Sequence, residues 1–339
     1  MEIPGEKLVI KLWETLADKG IGNLLKPWQI RREGRASTDV RREEMLALAQ
    51  TERDIAAIWS GEKLLLPTGE LVDRPALPAP EEHTAAEHSR PLALPYVAAT
   101  ADQNARAEAV RQEVSVAKAV LHAEQELKGD AGVPPNGEPD DDWLLRWREC
   151  AAGVSSEELQ LIWGKVLAGE VKSPGRFSLR TLEFLRNLSQ SEAKAIERIS
   201  PFVVASVLFR GDNSMLESEG IKFADLLALQ ELGVLAGVDG LGLQITFNSD
   251  IAGSFQKALT SHGAVLLVTA ADAAKAITLS VCKVTTIGAQ VLRLGHFSPN
   301  AKMLESLAKA IKGQGFEVQL GSYLQTGENQ LQAFNLRAV

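Results

Sequence analysis

The most regular alternation of apolar and polar positions lies in "SSEELQLIWGKVLAGEVKSPGRFSLRTLEFLRNLSQSEA", which starts at Ser155. Its first half predicts an amphipathic helix, because apolar residues recur at intervals of three and four. These residues are Leu159, Ile162, Trp163, Val166, Leu167 and Val171. Ser155 and Glu158 predict a capping box at the start, and "SPG" at 173–175 predicts the end.

Two shorter helices are predicted to follow the first. Ser178 can cap the second helix, whose inner face is Leu179, Leu182, Leu185 and Leu188. Ser189 and Glu192 predict another capping box for the third helix, which Pro201 bends or ends. Since no single apolar stripe is stable in water, we expect the three helices to pack against one another. Packing alone explains the pattern, without any chemistry.

The first third of the chain predicts helices joined by linkers. Residues 5–25 show helical spacing that ends near Gly20 and Gly22, and a second helical stretch reaches about Ile58. Six prolines between 67 and 95 favour an extended linker. Residues 100–128 predict a polar, Ala-rich helix, and "GDAGVPPNGEPDDD" predicts a second, acidic linker.

From residue 202 the pattern changes to short strands and helices. "FVVASVLF" predicts a strand, "FADLLALQELGVL" a helix, and "LGLQITF" a strand entered through Gly240 and Gly242. This order resembles a winged-helix module. Further on, "AVLLVTA" and "AITLSVCKV" are predicted to pair, two helices follow, and "FEVQLGSYL" with "LQAFNLR" predicts a hairpin through residues 326–329.

The predicted fold class is therefore α+β, with mainly helical N-terminal and central parts and a winged-helix-like and α+β C-terminal module. Four regions follow from the pattern. They are N-terminal amphipathic helices (1–66), a Pro-rich linker (67–99), a helical core domain (100–201) and the C-terminal domain (202–339).

Composition narrows the class of protein. The chain has 339 residues, 45% of them hydrophobic and 24% charged, which is typical of a globular protein with a real core. A net charge of -8 argues against binding nucleic acid with the whole surface, although a local basic patch is compatible with it. Cys150 and Cys282 are expected to be buried thiols. The start "MEIPGEKLVIKLW" lacks a secretory pattern and no apolar run would span a bilayer, so we expect a cytoplasmic protein.

A search for catalytic patterns finds no phosphate loop, H-E-x-x-H, C-x-x-C or G-x-S-x-G motif. His83 and His88 are interpreted as a solvated pair in the linker. The acidic run Asp140–Asp142 fits the positive end of the helix that follows it, with a metal or nuclease role as the alternative. We therefore expect no catalytic, metal-binding or cofactor-binding residues.

The basic segment between residues 26 and 42 is the candidate anionic-surface site. Its six cations are Lys26, Arg31, Arg32, Arg35, Arg41 and Arg42. They are compatible with an anionic membrane surface, with Trp13 and Trp28 at headgroup level, or with nucleic-acid phosphates. The third alternative is that the N-terminal helix packs on the body or on another subunit while the arginines are solvated. The helix "KFADLLALQELG" has Lys222 as its one cation, which favours protein packing over DNA binding.

Several segments resemble the bacterial domain-of-unknown-function family numbered 2806. They include "DDWLLRW", the stretch from Ser155, "FADLLALQELGVL", "VTTIGAQVLRL" and "LAKAIKGQGFEVQL". The segment "GIGNLLKPWQIRREGRA" resembles that family too and, more loosely, the abortive-infection alpha proteins. The residues that match the family motif are Trp163, Pro174, Gly175, Arg180 and Thr181, and Trp143 in "DDWLLRW" is a further candidate structural residue. The resemblance implies a bacterial protein often associated with phage defence or mobile elements, and it implies no catalytic residues.

Within the motif, Trp163 is predicted to be core, Pro174 and Gly175 to form a turn, and Arg180 to form a latch with Asp140–Asp142. A role for Arg180 and Thr181 in a binding site is the alternative. The leading hypothesis is a non-enzymatic interaction or assembly protein with a protein partner or a second copy. One alternative is a defence effector that binds an anionic membrane surface or nucleic acid through its basic segment. The other is an enzyme whose site the motifs do not reveal.

Overall fold

The computed structural model describes residues 5–18, 37–74, 94–130, 132–210, 214–239, 243–327 and 330–339. The chain divides into two compact units, Met1–Leu182 (unit 1) and Glu183–Val339 (unit 2). Unit 1 is mainly helical and unit 2 is rich in strands, which confirms the predicted α+β class. The division falls inside the predicted helical core domain.

The described residues of unit 1 form five helices, a small hairpin and the start of a sixth helix. The helices are α1 (Glu6–Asp18), α2 (Ser37–Ser60), α3 (Leu94–Lys128), α4 (Asp141–Ala152) and α5 (Glu157–Lys172), and α6 (Leu179–Asn187) crosses the division. The hairpin pairs β1 (Lys63–Leu65) with β2 (Leu71–Asp73). Strand β1 packs against α2 and α3. Strand β2 lies in the predicted linker (67–99), so part of that stretch is ordered structure.

The long helix α3 is the centre of unit 1. Helices α1, α2, α4 and α5 all contact it, and its interface with α5 is the most extensive among the described helices. Small side chains allow this close packing, since Ala107, Ala117, Ala119 and Ala123 are buried. The alanines of this predicted Ala-rich helix therefore form part of its contact surface.

Helix α1 is part of this core. Its buried apolar residues are Leu8, Leu12, Trp13 and Leu16. The helix contacts α3 and α5, as the packing alternative predicted for the body of the protein. Burial of Trp13 corrects the expectation that its ring could lie at the headgroup level of a membrane. The apolar stripe is covered by α3 and α5.

The predicted packing of three consecutive helices is only partly right. Trp163, Leu182 and Leu185 are buried, but Leu159 is 41% exposed. Helix α5 packs mainly on α3, because the long apolar face of α3 covers more of the stripe than a short neighbouring helix could. The N-cap of α5 is also Ser156, whose hydroxyl accepts a bond from the Leu159 N–H, and not the predicted Ser155.

Two other predicted caps are confirmed. The Ser178 hydroxyl accepts a hydrogen bond from the Thr181 N–H at 3.2 Å, at the start of α6. Ser189 and Glu192 form the predicted capping box at the start of α7 (Gln190–Ile199). Pro201 lies in a 3-10 turn that follows α7, as its effect on a helix requires.

In the part of unit 2 that the structure describes, α7 and four further helices accompany two antiparallel sheets. The helices are α8 (Ser214–Ser218), α9 (Phe223–Glu231), α10 (Thr286–Leu292) and α11 (Ala301–Lys312). The first sheet has the order β3 (Val203–Val204), β4 (Val207–Phe209), β9 (Ile277–Val284) and β5 (Leu235–Ala236), with β6 (Leu243–Phe247) also paired to β9. The second sheet has the order β11 (Gln330–Ala338), β10 (Glu317–Gly327), β8 (Ala264–Ala270) and β7 (Phe255–Ser261).

The predicted pairing of "AVLLVTA" with "AITLSVCKV" is wrong. These segments are β8 and β9, and they lie in different sheets. Strand β8 pairs with β7 and β10. The sequence did not predict β7, because "FQKALTS" mixes polar and apolar residues without a clean alternation. The predicted C-terminal hairpin is confirmed, since β10 pairs with β11.

The segment "FVVASVLF" forms two strands, not one. A two-residue turn at Ala205 and Ser206 joins β3 to β4, and both residues have positive φ, 47° and 61°. Two hydrogen bonds hold the turn, from the Ala205 N–H to the Thr260 carbonyl at 2.8 Å and from the Val284 N–H to the Ser206 carbonyl at 3.1 Å. The resemblance of α9, β5 and β6 to a winged helix stays a prediction, and Gly240 and Gly242 lie outside the described residues.

Candidate functional site

The family-like motif forms the end of α5, the turn after it and the start of α6. Its centre is Glu170, a carboxylate that is 1% exposed. The Gly175 N–H donates to Glu170 Oε1 at 2.5 Å, and the Phe177 N–H donates to Oε2 at 3.0 Å. The carboxylate thus ties the turn at residues 173–177 back to the helix before it.

Burial raises the pKa of Glu170 above the usual range for a carboxyl group, while hydrogen bonds from the backbone N–H groups of Phe177 and Gly175 oppose the rise. A buried carboxylate of this kind is a candidate for acid–base chemistry in an enzyme cleft. Here both oxygens accept bonds from the protein backbone. The geometry therefore assigns Glu170 to holding the turn.

Two tryptophans of α4 fix the same region through their indole N–H groups. Trp143 Nε1 donates to the Phe177 carbonyl at 2.7 Å, and Trp147 Nε1 donates to the Trp163 carbonyl at 3.0 Å. The indoles of Trp143 and Trp147 are buried, and so is that of Trp163. Trp143 and Trp163, which the sequence singled out as structural, thus lie in the core of unit 1.

The turn residues of the motif serve backbone geometry. Gly175 has φ +82°, in the left-handed region that residues other than glycine rarely adopt. Pro174 beside it is half-buried. Thr181 is fully buried and its hydroxyl lies 3.1 Å from that of Ser178. Arg180 is exposed and pairs with no described residue, so the predicted latch to Asp140–Asp142 does not form within the described chain.

Close packing explains the two glycines of "WGKVLAGE". A side chain at Gly164 would place its Cβ 2.5 Å from His122 Cβ and 2.8 Å from the Ala119 carbonyl on α3. A Cβ at Gly169 would lie 2.7 Å from the Phe177 ring. Each glycine therefore lets another element approach α5, and the sequence pattern alone did not show this.

One buried polar group of α5 has no described partner. Gln160 is 1% exposed, and neither its Nε2 nor its Oε1 makes a hydrogen bond to a described residue. It lies one turn before Gly164, on the side of α5 that faces α3. An unsatisfied buried amide lowers stability, so Gln160 is a weak point of an otherwise tightly bonded region.

The acidic run lies at the start of α4, as predicted, and Asp140 also caps the helix. The Asp140 carboxylate accepts a bond from the Trp143 N–H at 3.1 Å, and Asp141 and Asp142 lie in the first turn of α4. Within the described part of the chain, no group of three or more His, Cys, Asp and Glu side chains is arranged to hold a metal. His83 and His88 lie outside the described residues.

The basic segment is mostly outside the described residues. Lys26, Arg31, Arg32 and Arg35 fall there, and nothing is described of the Arg41 side chain. Arg42 is exposed on α2, next to exposed Glu43 and buried Glu44. Among the described helices, none has the combination of length and apolar composition needed to cross a bilayer.

An open cavity of about 360 Å³ lies between α2 and α3. Its lining is mainly apolar and consists of Ala47, Leu48, Thr51, Ala109, Val110, Glu113 and Val114. The Glu113 carboxylate at this cavity also pairs with Arg148 of α4. The cavity provides an apolar recess without a set of converging reactive groups.

Among the described residues of unit 2, four exposed apolar side chains lie on the C-terminal hairpin, here called the C-terminal ribbon (Ser322–Gln325 and Gln330–Leu336). Its exposed apolar side chains are Leu324 (61%), Leu331 (36%), Phe334 (39%) and Leu336 (37%). Along β10, Val318 and Leu320 are buried, whereas Leu324 on the same face is open. Sequence reasoning predicted the hairpin but missed this exposure, because alternating apolar residues usually indicate a covered face.

Residues 101–217 match the model of a family described as "Protein of unknown function (DUF2806)". This finding confirms the predicted family resemblance over the central part of the chain, which includes Glu170, the α4 tryptophans and the motif glycines. No curated protein and no solved structure matches the chain. The resemblance of the segments outside 101–217, and the looser one to abortive-infection alpha proteins, stay predictions.

Proposed function

We propose that this chain is a non-enzymatic interaction or assembly protein and that the C-terminal ribbon makes the contact with its partner. The observation that carries the proposal is the open apolar surface of Leu324 and Phe334, which are diagonal neighbours on one face of the ribbon. Exposed apolar groups in a contiguous arrangement are typical of protein-binding surfaces. Aromatic side chains such as Phe334 are enriched in the centres of such interfaces.

The family-like motif supports the same proposal by what its residues do. The polar side-chain groups of Glu170, Trp143 and Trp147 form hydrogen bonds with the backbone of unit 1. Gly164 and Gly169 allow close packing. These residues account for the motif as a scaffold, and a scaffold is what an interaction protein requires of its core.

Photo-cross-linking tests the proposal with the full-length chain in cells. A photoreactive amino acid at Leu324 is expected to give covalent adducts with another polypeptide on irradiation. The matched control places the same amino acid at Lys309, an exposed residue on α11 of the same unit, where few adducts are expected. Equal labelling at both positions, or none at Leu324, would overturn the proposal.

The adducts also separate the alternative function from this one. Binding of an anionic membrane or nucleic acid through the basic segment remains a proposal that rests on its six cations. If it is correct, a photoreactive group at Arg42 should label lipid or nucleic acid, with a yield that falls as salt rises. Labelling at Arg42 together with none at Leu324 would favour the alternative.

The link with phage defence or mobile elements is likewise a proposal, and its support is the family resemblance. We expect cells that carry the gene to resist a phage that infects cells without it. A variant with Leu324→Ser and Phe334→Ser should lose this resistance if protein contacts through the ribbon are needed. Equal plating of phage on all three strains would contradict the link.

A further inference from the structure

The second sheet of unit 2 has one covered and one open edge among the described residues. At the β7 edge, the Thr260 carbonyl accepts a bond from the Ala205 N–H and the Gln256 carbonyl from the Asp250 N–H, each at 2.8 Å. At the other edge, β11 pairs with β10 alone. An open strand edge is a template for pairing with another strand, and two copies that pair through this same edge form a closed pair, not a filament.

The hydrogen-bond pattern shows which backbone groups of β11 point outward. The Val339 N–H donates to the Val318 carbonyl at 3.3 Å, and the Tyr323 N–H donates away from β11, to the Gly263 carbonyl, at 3.1 Å. In an antiparallel ladder, residues whose backbone groups point to one neighbouring strand alternate with residues whose groups point to the other side. The register places Gln332 opposite Leu324 and Ala333 opposite Tyr323. The N–H and C=O groups of Leu331 and Ala333 therefore point to the open side.

A bulge limits the regular part of this edge. The register shifts between Leu320 and Ser322, and Asn335 opposite this shift has φ +54°. The regular stretch is Gln330–Phe334, five residues without a charge, a proline or a glycine. Edge strands that are protected from pairing carry charges or prolines, and this stretch carries neither.

We propose, as a deepening of the interaction function proposed above, that the partner of this edge is a second copy of the chain. The two β11 strands pair antiparallel about a two-fold axis at Gln332. Leu331 of one chain then faces Ala333 of the second copy, and these residues exchange backbone hydrogen bonds. Gln330 faces Phe334 of the second copy, and the two Gln332 side chains face each other.

Self-complementarity favours a second copy over an unrelated strand. A glutamine amide both donates and accepts hydrogen bonds, so Gln332 can bond to its own symmetry mate. Leu331 meets the small side chain of Ala333, and no like charges oppose each other over the five residues. The contact is smaller than the roughly 1,200–2,000 Å² of stable interfaces, so the dimer should form in a concentration-dependent way.

Charged substitutions at Gln332 test the proposal, with the mass of the full chain measured by light scattering over a range of concentrations. Wild type is expected to dimerise as its concentration rises. Gln332→Glu and Gln332→Lys should each weaken dimerisation by at least about tenfold, because like charges meet at the axis. An equimolar mixture of the two variants should restore the dimer as a heterodimer. A wild type that is monomeric throughout, or a mixture that stays monomeric, would overturn the proposal.

Two further variants distinguish the loss of edge pairing from a general effect of added charge and from unfolding. Gln319→Glu makes the same change at an exposed side chain of the interior strand β10 and should leave dimerisation unchanged. Ala333→Pro removes one outward N–H but no bond to β10, so it should abolish the dimer while circular dichroism stays that of the wild type. Dimers that survive Ala333→Pro in folded protein contradict edge pairing.

The outcome is distinguishable from failure of the proposed function itself. Cross-links from Leu324 to a different polypeptide, combined with a monomeric purified chain, would remove the second copy as the partner while the interaction function stands. No cross-links from Leu324 together with a monomeric chain would remove both.

Discussion

Glu170 and Gln160 show how differently two buried polar residues of one helix can be placed. Both are 1% exposed on α5, ten residues apart in the chain. Glu170 accepts two backbone N–H bonds from the turn that follows, whereas Gln160 bonds to no described residue. A satisfied buried polar group stabilises a fold, and an unsatisfied one costs free energy.

Removing the Glu170 carboxylate should therefore destabilise unit 1. We expect Glu170→Ala to lower the free energy of unfolding by about 1–3 kcal/mol, because the Gly175 and Phe177 N–H groups lose their acceptors. Urea unfolding followed by tryptophan fluorescence measures this, since all six tryptophans lie in unit 1. Glu126→Ala, at an exposed position of α3, is the control and should change stability by less than about 0.5 kcal/mol. A cost no larger than that of the control would refute this role of Glu170.

The opposite effect is expected at Gln160. Gln160→Leu keeps most of the volume and removes two unsatisfied polar atoms, so it should raise the free energy of unfolding by about 1–2 kcal/mol. Gln112→Leu, at an exposed residue of α3, serves as the comparison and should give no such gain. Loss of stability on Gln160→Leu in the same urea experiment would show that the amide is satisfied.

At the level of secondary-structure elements, the contact between α3 and α5 depends on Gly164. A methyl group there would meet the backbone of α3, which cannot move as a flexible side chain can. We expect Gly164→Ala to cost about 1–3 kcal/mol, the usual range for overpacking.

Gly153→Ala is the matched control for Gly164. Gly153 follows α4 with a right-handed helical φ of -76°, and its Cβ would have ordinary contacts at 3.5 Å. Alanine there should be neutral or stabilise by up to about 1 kcal/mol. Thermal unfolding monitored by tryptophan fluorescence compares the two variants. Equal midpoints would contradict the close approach of the helices.

The turn between β3 and β4 holds two residues with positive φ and no glycine. Ala205→Gly should relieve strain and stabilise unit 2 by about 0.5–1 kcal/mol, since glycine adopts this region without a steric cost. Ala193→Gly, at an exposed position inside α7, should instead destabilise by about 1 kcal/mol. Scanning calorimetry of both variants shows whether the melting temperature rises or falls. A fall in melting temperature for Ala205→Gly would argue against the turn.

At the scale of the whole molecule, the N-terminal helix is a core element of unit 1. Leu12 is fully buried, whereas Ile10 on the other side of α1 is 50% exposed. Leu12→Ala should cost about 2–5 kcal/mol through lost packing, and Ile10→Ala less than about 0.5 kcal/mol. Urea unfolding with tryptophan fluorescence checks both. Similar small effects at the two positions would show that α1 is only loosely attached.

Local signals in the sequence predicted several elements correctly because their causes are local. The capping box of Ser189 and Glu192, the cap at Ser178 and the hairpin of β10 and β11 each depend on residues a few positions apart. The pattern also predicted that Trp143 and Trp163 are structural. It missed the roles of Glu170 and Gly164, although a charged residue and a glycine within an apolar helical run are signals that could have drawn attention to them.

Errors arose where partners are distant in the chain. The pairing of β8 with β10 and the packing of α5 on α3 join segments that are dozens of residues apart. Periodicity states that a face will be buried but not what will cover it. The exposed apolar side chains of the C-terminal ribbon followed the same alternation as covered ones, so only the fold distinguished them.

The sequence by itself determined the α+β class, most helices, the caps at Ser178 and Ser189 and the family resemblance of the central segment. Propensity, capping and periodicity act over one or two helical turns, so local residues are enough to specify these features. Tertiary structure alone decided that Glu170 holds a turn, that Gly164 allows α3 to pack closely on α5, and that β11 has no second strand partner among the described residues. These properties depend on which distant atoms come within bonding distance, and only the folded chain brings those atoms together.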